Sequence, residues 1–135
     1  MASIFTRIIN REIPGKIVAE TEEFIAFLDI RPMMEGHTLC VPKREVDYYF
    51  DLSEEELAAL AAFTKRVAAA IEQVVDCTRI ATAVLGLEVP HAHVHLVPIR
   101  TERDMRFGKS VEVSAERMEE LRKAIGEAYA RMVVD

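Results

Sequence analysis

From Pro90 to Pro98 the chain reads Pro-His-Ala-His-Val-His-Leu-Val-Pro, so three of its four histidines occupy alternate positions with apolar residues between them. Strict alternation is the period of a half-buried β-strand, which places His91, His93 and His95 on one face and Ala92, Val94 and Leu96 on the other. Successive imidazoles then stand roughly 7 Å apart, a spacing that can line a phosphate-sized ligand with ring nitrogens. Two other readings compete. Burying three imidazoles for packing alone demands three sets of hydrogen-bond partners. Alternatively, His-x-His on a strand supplies two zinc ligands, and a third histidine completes a facial set. Spacing does not separate metal from phosphate chemistry.

At 135 residues and 50% hydrophobic content, the chain fits one domain. A net charge of -6 argues against binding a nucleic-acid polymer, which needs a concentrated basic face, but leaves room for a single nucleotide. No apolar run approaches the roughly 18 residues of a membrane span, and Arg7 and Asn10 interrupt the stretch where a signal peptide needs an apolar core. A cytoplasmic protein without membrane partners is expected. Cys40 and Cys77 have no metal-type spacing and read as free thiols.

Ser3 is placed to cap a short helix carrying Ile4, Phe5, Ile8 and Ile9, which Pro14-Gly15 ends. Residues 17–20 and 24–28 form an expected antiparallel hairpin, and His37 to Val41 a third strand after the turn at 31–36. Ser53 and Glu56 make a capping box, with Leu52 and Leu57 as a hydrophobic staple. The apolar stripe of that helix is Leu57, Leu60, Ala61, Val67, Ala68, Ile71 and Val74. Strands are expected at 79–85 and 89–99, antiparallel across a tight turn at Gly86 to Glu88, the second carrying the histidines. The loop with Arg100, Arg103, Arg106 and Lys109 suits solvent, a phosphate or a second subunit. A last helix from Ser114 carries Met118, Leu121, Ile125 and Met132.

Three stretches together resemble the histidine triad (HIT) family in order and spacing: residues 24–32 (FIAFLDIRP), 36–43 (GHTLCVPK) and 89–97 (VPHAHVHLV). Ile4 to Ile9 and Glu12-Ile13-Pro14 match as well, so the resemblance covers about residues 3–99 and implies a single domain with its core over 3–99 and a C-terminal helical extension over 100–135. It implies an α+β fold with a five-stranded antiparallel sheet, one long central helix and a C-terminal helix, dimerising through the long helix and a strand into a ten-stranded sheet. It also implies hydrolases and transferases that cut at the α-phosphate of nucleotides. On that resemblance His93 would be the nucleophile, forming a nucleotidyl-imidazole that water then releases. His95 would contact the phosphate and its leaving-group side, and His91 and His37 would orient or support the site. Asp29 would accept from ribose hydroxyls, and Phe5, Ile8, Phe27 and Ile30 would wall a purine base.

Some positions depart from the family pattern. Members with structural zinc carry Cys-x-x-Cys near the start and a histidine after the Pro-Lys turn, where this chain has Ser3, Thr6 and Glu45. No such metal, and no cofactor, is expected. The turn before the triad is shortened to Leu85-Gly86-Leu87-Glu88, losing an amide and a hydroxyl and adding Glu88 beside the phosphate site. His95 stands where transferase branches carry glutamine, which favours a hydrolase of phosphoramidates or dinucleoside polyphosphates. The alternatives are a weakly catalytic nucleotide-binding or interaction protein and a histidine-ligated metal protein.

Overall fold

The capping signals in the sequence act where they stand. Ser3 Oγ accepts the Thr6 amide and opens α1 (Ile4–Ile9). Ser53 Oγ accepts the Glu56 amide while the Glu56 carboxylate accepts the Ser53 amide, and this reciprocal box opens α2 (Glu54–Val74). The structure is a computed structural model that describes residues 1–133. Between and after these helices lie β1 (Ile17–Glu20), β2 (Phe24–Leu28), β3 (Thr38–Pro42), β4 (Arg79–Ala83), β5 (Val94–Ile99) and α3 (Ala115–Val133). All pairings are antiparallel, in the order β1-β2-β3-β5-β4. The expected α+β architecture, with a long central and a C-terminal helix, is what forms.

Alternation along the strands divides two cores. Ala26, Leu28, Cys40, Val94 and Leu96 face α2 and α3 and pack with Leu60, Phe63, Val67, Ile71, Leu121 and Ile125. Ile25, Phe27, Leu39 and Val41 face the other way, against Phe5 and Ile8 of α1. The buried stripe of α2 is Leu60, Phe63, Val67, Ala70 and Ile71, whereas Ala61, expected inside, is exposed. Phe63 stacks on Phe24 and so draws its own side of the helix inward.

The histidine strand is shorter than its alternation predicts. β5 begins at Val94, so only His95 lies within it, and His91 and His93 sit in irregular backbone. The cause is Pro42. The amides of Asp29 and Lys43 pair across to the residues beside β2 and β3, so residue 42 directs its main-chain groups toward β5. Proline has no N–H to give there, and the ladder stops at Cys40 opposite Val94. The Ala92 amide bonds instead to the Val46 carbonyl. The face assignment survives, because Ala92, Val94 and Leu96 all lie in the α2/α3 core and leave the histidines on the α1 side. β4 likewise ends at Ala83 and not Leu85.

Candidate active site

His37 enters from the turn before β3. Gly36 turns the chain with φ +92°, and a Cβ there would lie 2.8 Å from Val75 Cγ2, so only glycine fits without displacing α2's end. The four imidazoles, between 0 and 9% exposed, then gather on the α1 face. The ring centroids of His93 and His95 are 5.0 Å apart, and those of His37 and His95 5.2 Å, closer than an ideal strand would set them.

Backbone groups fix every proton in this cluster. A carbonyl only accepts, so His91 Nε2–H donates to Pro42 O at 2.7 Å, and its bare Nδ1 takes the Ser3 hydroxyl at 2.6 Å. By the same rule His93 Nδ1–H donates to His91 O at 2.7 Å, which leaves His93 Nε2 with its lone pair free. An amide only donates. The Met33 N–H therefore holds His37 Nδ1 as acceptor at 3.0 Å, and His37 Nε2–H points to His95 Nδ1 at 3.0 Å. His95 must carry its own proton on Nε2. The site thus offers one nucleophilic nitrogen and one N–H donor on neighbouring rings. Among the described residues neither nitrogen has a protein partner, and neither is sealed from solvent.

Burial keeps these rings neutral. His37 is pushed down to about 4 by burial and the neighbouring His93, and His95 to about 4 by burial and then His93 and His37. His91 and His93 are also lowered, chiefly by burial. For His93 the carbonyl of His91 and the charges of Asp29 and Glu88 pull back upward. Asp29 is raised by burial, opposed by the Arg31 amide, which Oδ1 accepts at 2.8 Å, and by the nearby histidines. Its Oδ2 lies 3.6 Å from His37 Nε2. A neutral imidazole is the form whose bare ring nitrogen can act as a nucleophile.

Phe5 joins the apolar cluster under α1 to the histidines. Its ring meets Phe27 at 5.3 Å, His91 at 5.7 Å and His93 at 4.9 Å, each edge to face. Phe5, Ile8 and Phe27 are buried together, so three residues of the expected base wall form one surface. Ile30 is apart from them, 79% exposed, next to Asp29. Glu88 is exposed, close enough for its charge to act on His93. Arg100 is tied to Asp76 and Lys109 to the Asp104 carbonyl, so these two bases are engaged at the surface. The sequence reading weighed that loop for its charges and missed Phe107, whose ring stands edge-on to His95 at 5.1 Å. It missed the partners of His91 too.

The antiparallel sheet thus gathers four buried imidazoles against an aromatic and aliphatic cluster, with ring nitrogens of His93 and His95 left without a protein partner among the described residues, a histidine site carried on a sheet. A HIT domain matches residues 10–102. An uncharacterised HIT-like protein of Methanocaldococcus jannaschii is 37% identical over 126 residues, 90% of this chain and 97% of its own. The adenosine 5'-monophosphoramidase HNT1 of Saccharomyces cerevisiae is 37% identical over 103 residues, 76% of this chain and 65% of its own. A zinc-bound histidine triad family protein from Mycobacterium smegmatis superposes with a TM-score of 0.82 at 28% identity, covering 98% of this chain and 96% of its own. This chain belongs to the HIT family.

Two places invite a zinc test. Nitrogen and oxygen atoms of Asp29, His37 and His95 lie within 4.8 Å of one another. Ligation through His37 Nε2 would move its proton to Nδ1, directly against the Met33 N–H, so this set does not fit a metal. At the second place, Ser3, Thr6 and Glu45 approach His91 Nδ1, but that nitrogen already accepts the Ser3 hydroxyl and neutral hydroxyls are poor zinc donors. These residues do not fit zinc either.

Proposed function

We propose that the chain is a nucleotidyl hydrolase that cleaves at the α-phosphate of a purine nucleoside phosphoramidate or dinucleoside polyphosphate. The observation that carries this reading is the 2.7 Å bond from His93 Nδ1–H to the His91 carbonyl, which leaves Nε2 bare and without a protein partner among the described residues. The 37% identity to a yeast adenosine 5'-monophosphoramidase supports the same class of reaction. In the first step the His93 Nε2 lone pair forms an N–P bond as the P–N or P–O bond to the leaving group breaks. The leaving group departs with that electron pair and takes a proton from water. His95 keeps Nδ1 as the acceptor of His37 Nε2–H, so it stays neutral and its Nε2–H donates a hydrogen bond to the phosphate as charge shifts onto the departing atom. A water oxygen then attacks phosphorus and releases a proton to solvent, the N–P electron pair returns to His93 Nε2, and nucleoside monophosphate leaves with His93 restored. Asp29 would accept from the ribose, with Phe5, Ile8, Phe27 and Ile30 around the base, while Glu88 lifts the proton affinity of His93.

The working unit in this reading is a homodimer. β4 is an open sheet edge, Val84, Leu85 and Leu87 beside it are exposed, and Ala58, Ala61 and Ala62 line an outward face of α2 that permits close backbone approach. Sedimentation should give twice the chain mass at micromolar concentration, and a monomer would refute the assembly. The reaction is tested by a panel of adenosine and guanosine phosphoramidates and dinucleoside polyphosphates, assayed with and without chelator. Chelator-insensitive turnover to a nucleoside monophosphate is expected. Tight monophosphate binding without turnover would support the non-catalytic alternative, and loss of activity with chelator would support a metal protein.

A further inference from the structure

Ser3, Thr6 and Glu45 meet His91 in a network that the hydrolysis scheme does not use. Glu45 Oε1 accepts the Ser3 amide at 2.8 Å and the Thr6 hydroxyl at 2.5 Å. Ser3 Oγ accepts the Thr6 amide at 3.0 Å and donates its own proton to His91 Nδ1 at 2.6 Å. Ser3 is buried, His91 is sealed from solvent, and the network joins three stretches of chain far apart in sequence. We propose that Ser3, Thr6 and Glu45 form a metal-free latch that fastens α1 to His91 and thereby holds the nucleophile His93 in register with the base-binding wall. The last clause rests on the hydrolase reading given above.

The direction of each proton supports the assignment. Pro42 O fixes the His91 proton on Nε2, so Nδ1 is an acceptor and needs a donor. Glu45, with Oε1 4.0 Å from that nitrogen, has no proton to offer it. The Ser3 amide and Thr6 hydroxyl hold the Glu45 carboxyl below its ordinary value, so it is charged and serves to aim the serine. Ser3 then supplies the hydrogen. The consequence reaches the nucleophile through the backbone, because the His91 carbonyl is what keeps His93 in its reactive tautomer. It reaches the pocket through α1. That helix has six residues, well short of the roughly 12–15 a helix needs to persist alone, so its placement rests on the packing of Phe5 and Ile8 on the sheet together with this network.

Ser3, Thr6 and Glu45 are therefore positioning residues, and the test reads His93 itself. Ser3→Ala, Glu45→Ala and Glu45→Gln are made in the full chain. Measured are kcat and KM for an adenosine phosphoramidate across pH 5–8, and imidazole ¹⁵N–¹H correlation spectra that report the tautomers of His91 and His93. Ser3→Ala and Glu45→Ala should lower kcat about ten-fold, as the loss of one buried hydrogen bond would. Their His93 signal should lose its single Nδ1–H form. Glu45→Gln keeps an oxygen that accepts from Ser3 and Thr6, so its kcat should stay within about two-fold of wild type. Wild-type kcat and unchanged tautomers in both alanine variants would overturn the latch. Should the wild type turn over no nucleotide at all, the hydrolase reading fails by itself. The spectra still decide the latch, since a Ser3→Ala protein with unaltered His91 and His93 signals refutes it and an altered pair sustains it.

Discussion

The two faces of the sheet are held by different physics. On the α2/α3 face, buried Leu, Ile, Val and Phe side chains interlock, and each contributes roughly 1.5–3 kcal/mol by leaving water. On the α1 face, four imidazoles lie almost as deep, and each needs a named partner for its ring nitrogens. The first face tolerates any well-shaped apolar filling. The second tolerates only one arrangement of protons, because Pro42 O, His91 O and the Met33 amide can each play a single hydrogen-bonding role. The contrast predicts that substitutions on the helix face cost stability and those on the histidine face cost chemistry.

His93→Ala should break that contrast most sharply if it is wrong. Turnover should fall by several orders of magnitude, beyond the roughly 10²- to 10⁴-fold of a single acid or base group, while nucleoside monophosphate still binds by calorimetry. His37→Ala should cost less, since His37 acts only through His95. Phe63→Ala, on the opposite face and packed on Phe24 and Tyr129, should lower unfolding free energy by about 3–5 kcal/mol in urea titration with kcat nearly unchanged in the folded fraction. A stable, inactive Phe63→Ala protein would mean the faces are not separable.

Acid titration sharpens the same point. His37 and His95 fall to about 4 in the native state, below the ordinary value of 6.5, so between those limits the unfolded chain binds more protons. Stability is complete above pH 6.5 and is lost as pH falls toward 4, by a few kcal/mol in order of magnitude. The raised Asp29 carboxyl works in the opposite direction, since the native state binds its proton more readily than the unfolded chain does. Chemical denaturation at pH 7 and pH 4.5 measures the loss, which His95→Phe should reduce. The smallest effect is expected at Phe107, which is partly exposed and touches His95 by its edge. Phe107→Ala should change kcat by about two- to five-fold, with the largest change for the substrate with the bulkiest leaving group.

Much of the helix face was legible in the sequence because its signals are local: the Ser53 and Glu56 capping box, the apolar stripe of α2, the alternation of Ala92, Val94 and Leu96. That the histidines gather on one face was legible too, in the spacing of three of them and in the strand that His37 opens. What escaped was what the main chain does across the fold. The truncation of β5 follows from a missing N–H at Pro42, 52 positions before Val94, and the tautomers follow from two carbonyls and an amide that no side-chain pattern records. Phe107 escaped because its loop is irregular and its charges drew the reading. Ser3, Thr6 and Glu45 were read for the ligands they lack, and their mutual contacts emerge only when α1 and the 42–46 turn are brought together.

The central claim is that His93 Nε2 bonds to phosphorus. Rapid-quench mass spectrometry of the wild-type protein with a good phosphoramidate or dinucleoside polyphosphate tests it directly. A nucleotide adduct should appear within one turnover on the peptide containing His93, and it should be absent from His93→Ala. An adduct mapped to another residue, or full activity in His93→Ala, would contradict the account.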